Sequence, residues 1–294
     1  MTREIAPSYR GLYINLDRSA GRRERMEAQL AAFGLTDRYS RFTAIDGSAL
    51  GPPGSRIKPG ELGAFHSHLR ALESAASGRL PLHILEDDAL LSEHVRPIIE
   101  EAVAARLFDR FDILFTDTFI PPHLGMLKAL KGAFDKVAIS RERPLHFQDL
   151  QVLDLARENF ACLTSYVVGT QALEKIVGLC RAELANGPAK PVDLFLRDCV
   201  HAGHLRAGLL FPFITGFDLA EVAASTVGAS TPASGPSVMV LAVLRYLFFV
   251  KRDLNYAKTC LDAATKQNRR TADPQHEMIS QALEFVLSAD FQQF

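Results

Sequence analysis

The sequence predicts an α/β protein built on a largely parallel sheet. Short apolar runs of strand length alternate with longer segments in which apolar residues recur every three or four positions. This alternation is typical of β-α-β units. Acidic residues follow several of the apolar runs. Because such folds bind ligands at the carboxyl ends of their strands, the same pattern predicts where a site lies.

Five apolar runs, each bounded by turn residues or charge, are predicted strands: residues 11–16, 41–45, 81–85, 111–115 and 164–168. Four segments with helical periodicity are predicted helices: residues 20–33, 61–76, 95–107 and 171–181. Gly34 ends the first helix, and the Gly- and Pro-rich residues 51–60 form a loop. The order of these elements predicts an α/β domain over residues 1–224.

The rest of the chain is less regular or helical. Residues 119–160 have a basic bias and are predicted to form a surface insertion or lid. A low-complexity linker follows at 225–237, and 238–294 form a helical C-terminal segment. Its apolar run at 238–250 is interrupted by Arg245 and is too short to cross a bilayer of roughly 30 Å. We predict a buried helix there; a membrane-surface helix or a partner-binding helix is the alternative.

Composition excludes several classes of partner and site. The formal net charge of −1 gives no global attraction for nucleic acid or an anionic membrane. Four cysteines without a CxxC pair argue against a zinc knuckle or disulfide framework and favour a reducing compartment. The first ten residues, MTREIAPSYR, lack the apolar core of a secretion signal, so we expect a cytoplasmic protein.

Four acidic positions lie at or just beyond predicted strand ends. They are Asp17, Asp46, the triplet at 86–88 and Asp117. The triplet has two interpretations. Carboxylates clustered at a strand end suit a hard divalent cation, which takes few protein oxygens and fills its other positions with phosphate. Alternatively, the triplet is an exposed acidic turn that begins the next helix.

The segment LDRSAGRRERMEAQL places three arginines in the first turns of a predicted helix: Arg22, Arg23 and Arg25. Cations are disfavoured at a helix N-terminus, and a bound phosphate would reverse that effect. Pairing with Glu24 and Glu27 on a solvated face is the alternative. Because Asn15 and Asp17 end the preceding strand, we favour a phosphate or nucleotide.

The motifs taken in order resemble glycosyltransferase family 25, the lipopolysaccharide-biosynthesis type. They are INLDR at 14–18, AIDG at 44–47, GELGAFHSHLRAL at 60–72, HILEDDAL at 83–90, and SYVVGTQALEKIV followed by PVDLFL. The likeness covers roughly residues 11–200. It implies a GT-A (Rossmann-like) fold, a UDP-sugar donor, a Mn²⁺ (or Mg²⁺) cofactor and inversion at the anomeric carbon. The helical C-terminal extension of that fold is predicted from the residue pattern alone.

The resemblance also assigns roles to residues. The nucleotide sugar is expected to contact Asn15, Asp17, Arg18, His68, Glu86 and Asp87. Arg22 and Arg23 join this set because of their place at the predicted helix start, not because of the resemblance. Glu86 and Asp88 are the expected metal ligands, with Asp88 as the direct ligand because it reaches furthest past the strand. Asp193 is the expected catalytic base; Asp198 is its competitor, and a helix N-cap is the alternative role for Asp193. The spacing of His201 and His204 lets them share a helix face; we favour a structural or exposed role for them, and a third metal ligand is the alternative.

The resulting hypothesis is transfer of a hexose, galactose or glucose, from a UDP-sugar to lipopolysaccharide or another surface oligosaccharide. A lipid-linked acceptor would bring the enzyme to the inner membrane as a peripheral protein. Two alternatives are a metal-dependent phosphohydrolase and a degenerate transferase domain that serves as a binding or scaffolding module.

Overall fold

A computed structural model of the chain describes residues 8–50, 56–120, 145–222, 236–268 and 283. Within these ranges the strands are β1 (Arg10–Asn15), β2 (Tyr39–Thr43), β3 (Leu82–Glu86), β4 (Ala89–Leu90), β5 (Ile113–Phe119), β6 (Gln151–Asp154), β7 (Ala161–Val168), β8 (Ala207–Phe211) and β9 (Gly216–Phe217). The helices are α1 (Ala20–Ala32), α2 (Pro59–Glu73), α3 (Val95–Ala104), α4 (Leu173–Ala185), α5 (Val192–His201), α6 (Pro236–Leu247) and α7 (Leu254–Asn268).

Seven strands form the central sheet in the order β2-β1-β3-β7-β5-β8-β6, while β4 and β9 form a separate antiparallel pair. Strands β2, β1, β3, β5 and β8 share one direction. Strand β7 runs antiparallel between β3 and β5, and β6 runs antiparallel on β8. The predicted α/β class with a mostly parallel sheet is therefore confirmed. The sequence did not predict that the central strand, β7, is antiparallel. An apolar run indicates a strand but not the direction in which that strand runs in the sheet.

Helices cover both faces of the sheet. On one face α2, α4 and α5 pack through Phe65, Leu72, Ile176 and Leu196. On the other face α1 and α3 pack through residues that include Met26, Leu30, Ile98 and Ile99. Met26 and Leu30 are one helical turn apart, as their predicted periodicity requires, and both are buried. Gly34 follows α1 with φ of 63°, a conformation that glycine adopts readily.

The register of the strands brings three of the predicted acidic positions to one edge. Asn15, at the end of β1, pairs with Thr43 of β2, and Ile14 pairs with Glu86 of β3. The residues that follow β1, β2 and β3 therefore emerge side by side. The prediction that these strand ends converge is confirmed for Asp17, Asp46 and the triplet.

Asp117 does not lie at a strand end, so its prediction was wrong. Strand β5 continues to Phe119, and Asp117 is fully buried within it. The strand extends past its apolar run because its polar side chains find partners. Thr116 contacts Ser165 at 2.5 Å, and Thr118 donates to the Ala161 carbonyl at 2.6 Å.

The region predicted as irregular, 119–160, is partly regular, since β6 joins the edge of the sheet. Its residues 121–144, with most of the basic side chains, lie outside the described residues. So do residues 51–55 of the predicted loop and 225–235 of the predicted linker.

Helix α6 is buried, as predicted for the apolar run, with Val240, Val243 and Tyr246 at most 4% exposed. The turn after it is bonded to the segment that follows β8: Phe213 N–H donates to the Phe248 carbonyl at 2.9 Å, and Val250 N–H donates to the Phe213 carbonyl at 3.0 Å. No helix among the described residues combines the length and the apolarity needed to cross a membrane.

Candidate active site

A cleft of about 640 Å³ lies at the carboxyl ends of β1, β2 and β3. Seven predicted site residues line it: Arg18, Arg22, His68, Glu86, Asp87, Asp88 and Asp193. Three others, Asn15, Asp17 and Arg23, do not contribute to its walls. The cleft is therefore where the sequence predicted a site, although its lining is only partly the predicted set.

Close backbone packing places the loop after β2 against α2. A Cβ on Gly47 would lie 1.6 Å from the Pro59 carbonyl oxygen, and a Cβ on Gly63 would lie 2.5 Å from the Gly47 nitrogen. Only glycine fits at both positions. The Ser67 hydroxyl also accepts the Ile45 N–H at 2.8 Å. The AIDG and GELG motifs thus bring α2, which carries His68, to the edge of the sheet.

Glu86, the last residue of β3, is oriented by a buried histidine. His68 Nε2 lies 3.2 Å from Glu86 Oε1, and His68 Nδ1 lies 2.9 Å from the Tyr166 hydroxyl. Both bonds are satisfied when Tyr166 donates to Nδ1 and the Nε2 proton is donated to the carboxylate. Burial opposes ionisation of Glu86, but His68, with the charges of Arg245 and Arg22, lowers its pKa overall.

Both carboxylate oxygens of Asp87 are used within the protein. Asn15 Nδ2 donates to Oδ2 at 2.7 Å, and Arg22 Nη1 donates to Oδ1 at 3.2 Å. Burial raises the pKa of Asp87, and these two donors oppose that rise. Asp87 therefore holds Arg22 in place.

Asp88 differs from its neighbours because its Oδ1 is buried and has no hydrogen-bond partner among the described residues. Burial, reinforced by the negative charge of Glu86, raises the pKa of Asp88 to about 7. A buried carboxylate oxygen without a donor is costly, and a bound cation would remove that cost.

Within the part of the chain that the structure describes, the triplet has few neighbours that could complete a cation site. In the described ranges, no group of three or more His, Cys, Asp or Glu side chains is arranged so that it could hold a metal ion. The donor set around Asp88 and Glu86 is compatible with a hard cation that takes few protein oxygens. The predicted metal site remains a prediction.

Arg22 lies at the start of α1, and all three of its guanidinium nitrogens are engaged. Nη1 contacts Asp87, while Nε and Nη2 donate to Glu221 Oε2 at 3.1 and 2.7 Å. Arg25 also pairs with Glu221. Arg22 and Arg25 therefore pair with acidic residues that are distant in the sequence. The alternative in which the arginines pair with Glu24 and Glu27 on a solvated face is not what the structure shows for these two residues.

The other residues of the INLDR motif have structural contacts. Arg18 pairs with Asp46 at the wall of the cleft. Asp17 is 76% exposed and pairs with Arg41 at 2.5 Å, away from the cleft lining. Asn15 is 1% exposed and donates a hydrogen bond to Asp87 from a buried position. Sequence order alone placed these residues at the site, but their side chains point to different environments.

Asp193, the expected base, lies in the first turn of α5 and lines the cleft. Pro191 occupies the N-cap position, so the N-cap role considered for Asp193 was wrong. Asp193 Oδ2 instead accepts the Cys162 N–H at 2.9 Å, and Cys162 has an unusual φ of 72°. Asp198, its competitor, pairs with Lys190 and does not line the cleft.

The two histidines of HAGH lie away from the cleft lining. A ring nitrogen of His201 donates to the Glu158 carbonyl at 2.9 Å, and His204 is exposed. The structure thus places both histidines at exposed positions, as favoured, and not in the cleft lining beside the triplet. Cys162 lines the cleft, but burial raises the pKa of its thiol to about 12, so it is not a thiolate at neutral pH.

A comparison with protein families identifies the chain. The model described as "Glycosyltransferase family 25 (LPS biosynthesis protein)" matches residues 10–196, well over half of the sequence. The chain belongs to glycosyltransferase family 25. It is therefore a glycosyltransferase of the lipopolysaccharide-biosynthesis family, as the motifs indicated. No curated protein matches the chain.

The glycosyltransferase has a buried ion pair that the sequence did not predict, and one of its members, Arg245, lines the cleft. Arg245 of α6 donates to Asp117 of β5, from Nε to Oδ1 at 2.8 Å and from Nη2 to Oδ2 at 2.5 Å. Arg245 and Asp117 are 128 residues apart, and Arg245 lies beyond the matched range. The signal was the single charge within the apolar run of α6, because a buried cation requires an anionic partner.

Proposed function

We propose that the enzyme is a metal-dependent, inverting glycosyltransferase that moves a hexose from a UDP-sugar to lipopolysaccharide or another surface oligosaccharide. Galactose and glucose are the hexoses proposed, and GT-A is the proposed fold type. The observation that carries the proposal is the buried, unpartnered Oδ1 of Asp88 in the cleft of a family 25 enzyme. The cleft volume also lies in the range of small-molecule sites, about 300–1,000 Å³.

Asp88 and Glu86 would hold a Mn²⁺ or Mg²⁺ ion. When bound, such an ion supplies positive charge to the departing diphosphate. The protein prepares the two carboxylates differently. His68 fixes the orientation of Glu86, whereas Asp88 keeps one oxygen without a protein partner. Arg22, held by Asp87 and Glu221, adds a fixed positive charge to the same wall.

Asp193 is the proposed base. The Cys162 N–H holds its Oδ2, and its Oδ1 has no hydrogen bond with the part of the chain that the structure describes. Oδ1 can therefore accept the proton of an acceptor hydroxyl while the other oxygen keeps the carboxylate in place. A base fixed in this way favours attack in line behind the anomeric carbon.

The proposal is tested by incubating the purified enzyme with UDP-galactose or UDP-glucose, MnCl₂ and a truncated lipopolysaccharide acceptor. We expect release of UDP and a mass increase of one hexose on the acceptor, both abolished by EDTA and by Asp88→Asn. Asp17→Asn is the matched control, because this exposed carboxylate lies outside the cleft lining. Release of inorganic phosphate without transfer would support the phosphohydrolase alternative. No turnover with any nucleotide sugar would support a scaffolding role.

A further inference from the structure

Arg245 lies in the cleft wall and keeps one edge of its guanidinium available. Its Nε and Nη2 bind Asp117, and Nη2 also donates to the Thr164 hydroxyl at 2.9 Å. Nη1 has no hydrogen bond with any residue in the described ranges, nor is it one of the fully enclosed polar atoms that lack a partner. A cleft residue with an uncommitted charged donor is suited to an anionic ligand.

The guanidinium is held rigidly from several directions. Asp117 accepts two parallel hydrogen bonds from it, and the centroid of the Phe217 ring lies 4.3 Å from Arg245 Cζ. Arg245 shares its helix face with Leu241, one turn earlier, which also lines the cleft. A donor fixed before the ligand arrives loses little conformational entropy on binding.

Burying this ion pair is not explained by stability alone. Asp117 is fully buried, and the side chain of Arg245 is 8% exposed. Taking both charges out of water costs about as much as their attraction returns, and apolar residues of similar size serve stability equally well. The pair does, however, place a cation in the wall of the cleft that Glu86 and Asp88 also line.

The other two arginines of the cleft are less suited to this role. All three guanidinium nitrogens of Arg22 bind Asp87 or Glu221. Arg18 is 56% exposed and pairs with Asp46. Among the described arginines that line the cleft, Arg245 is thus the buried one with a donor to spare.

We propose that Arg245 binds a phosphate oxygen of a nucleoside diphosphate donor through Nη1, so that helix α6 completes the donor site. The inference rests on the proposed function, because it requires a donor with a diphosphate. It goes beyond the family assignment, since Arg245 lies 49 residues after the matched range ends at 196. It also gives the C-terminal segment a direct part in the site.

The test uses isothermal titration of the full-length enzyme with UDP and with inorganic pyrophosphate at a fixed MnCl₂ concentration. Removing Arg245 alone would leave Asp117 buried and unpaired, so the variant is the double change Asp117→Asn with Arg245→Gln, whose amides can bond to each other. The matched control is Arg110→Met. Arg110 also stacks on a phenylalanine, with Cζ 5.3 Å from the Phe111 ring, but is exposed and outside the cleft lining.

We expect the double variant to bind UDP and pyrophosphate about 10- to 100-fold more weakly, as for loss of a charged hydrogen bond. The control should bind both as the wild type does. If circular dichroism shows that the double variant is unfolded, Arg245→Lys is used in its place. Lysine keeps a positive charge for Asp117 but lacks the planar guanidinium group, so we expect it to bind UDP and pyrophosphate several-fold more weakly.

Wild-type affinity for both ligands in a folded double variant, or in Arg245→Lys, would overturn the inference and leave the proposed function intact. Failure of the wild type to bind either ligand would overturn both. The two failures are therefore distinguishable from the same titrations.

Discussion

The side-chain amide of Asn15 donates a 2.7 Å hydrogen bond to the carboxylate of Asp87, 72 residues further along the chain. The same amide donates to the Ser19 carbonyl at 3.1 Å, and its oxygen accepts from Arg41 Nε at 2.9 Å. Asn15 therefore ties together the ends of β1 and β3, the side of β2 and the start of α1. It supports the cleft without lining it.

Replacing Asn15 should destabilise the fold. Asn15→Ala removes a buried donor and acceptor and leaves their partners unsatisfied, so we expect a loss of about 1–3 kcal/mol in the free energy of unfolding, measured in urea. Asn15→Asp should cost more, because two carboxylates would meet at a hydrogen-bond distance. Asp17→Asn, in the same motif but exposed, should change stability by less than about 1 kcal/mol. Equal effects at the two positions would contradict this account of Asn15.

His83 should make stability depend on pH. It is fully buried, with Nδ1 2.6 Å from the Tyr39 hydroxyl and Nε2 2.8 Å from the Ser165 hydroxyl, and burial lowers its pKa to about 3. The unfolded chain takes up this proton at about pH 6.5, whereas the folded chain does not. The stability from neutral His83 is present above pH 6.5 and is lost as the pH falls from there towards 3.

The measurement is the free energy of unfolding at pH 7 and pH 5 for the wild type and His83→Gln. From pH 7 to pH 5, His83 should lower the free energy of unfolding of the wild type by about 2 kcal/mol, and the variant should lack this contribution. Other groups titrate alike in both proteins, so the difference between the two falls isolates His83. An equal fall in both would show that His83 does not stay neutral in the folded protein.

Replacing Asp193 should reduce activity far more than replacing Asp198. Asp193→Asn keeps an oxygen that can accept the Cys162 N–H but removes the base, so we expect turnover of the UDP-sugar to fall by about 10²–10⁴-fold. Binding of UDP should be retained. Asp198→Asn, which changes a 41% exposed side chain outside the cleft lining, should keep wild-type turnover within a few-fold. The reverse ranking of the two variants would make Asp198 the better candidate for the base.

The sequence predicted the elements around the cleft well where a local pattern determines them. The apolar run of β3 ends at the acidic triplet, and the packing of Met26 and Leu30 follows from their spacing. The buried character of α6 could likewise be read from its composition. These features depend on residues a few positions apart, which is the range over which periodicity is informative.

What was missed depends on contacts between distant segments. The predicted strand 111–115 ended too early because the next residues, Thr116 and Asp117, are polar. In the structure they are buried within β5 because Ser165 and Arg245 bind their side chains. A register shift between Phe115 and Asp117 further hides the alternation of the strand. Glu221, which holds Arg22 from 199 residues away, gave no local signal at all.

The proposed cation and nucleotide site is tested most directly by thermal unfolding with MnCl₂, with UDP and with both, in the wild type and Asp88→Asn. A ligand at about 100 times its Kd stabilises by about 2.7 kcal/mol, which raises the Tm of a chain of this size by a few degrees. We predict that UDP stabilises the wild type far more with Mn²⁺ than without it, that Asp88→Asn loses this synergy, and that Asp17→Asn keeps it. No shift in the wild type with both ligands, or the same synergy in Asp88→Asn, would contradict the assignment of Asp88.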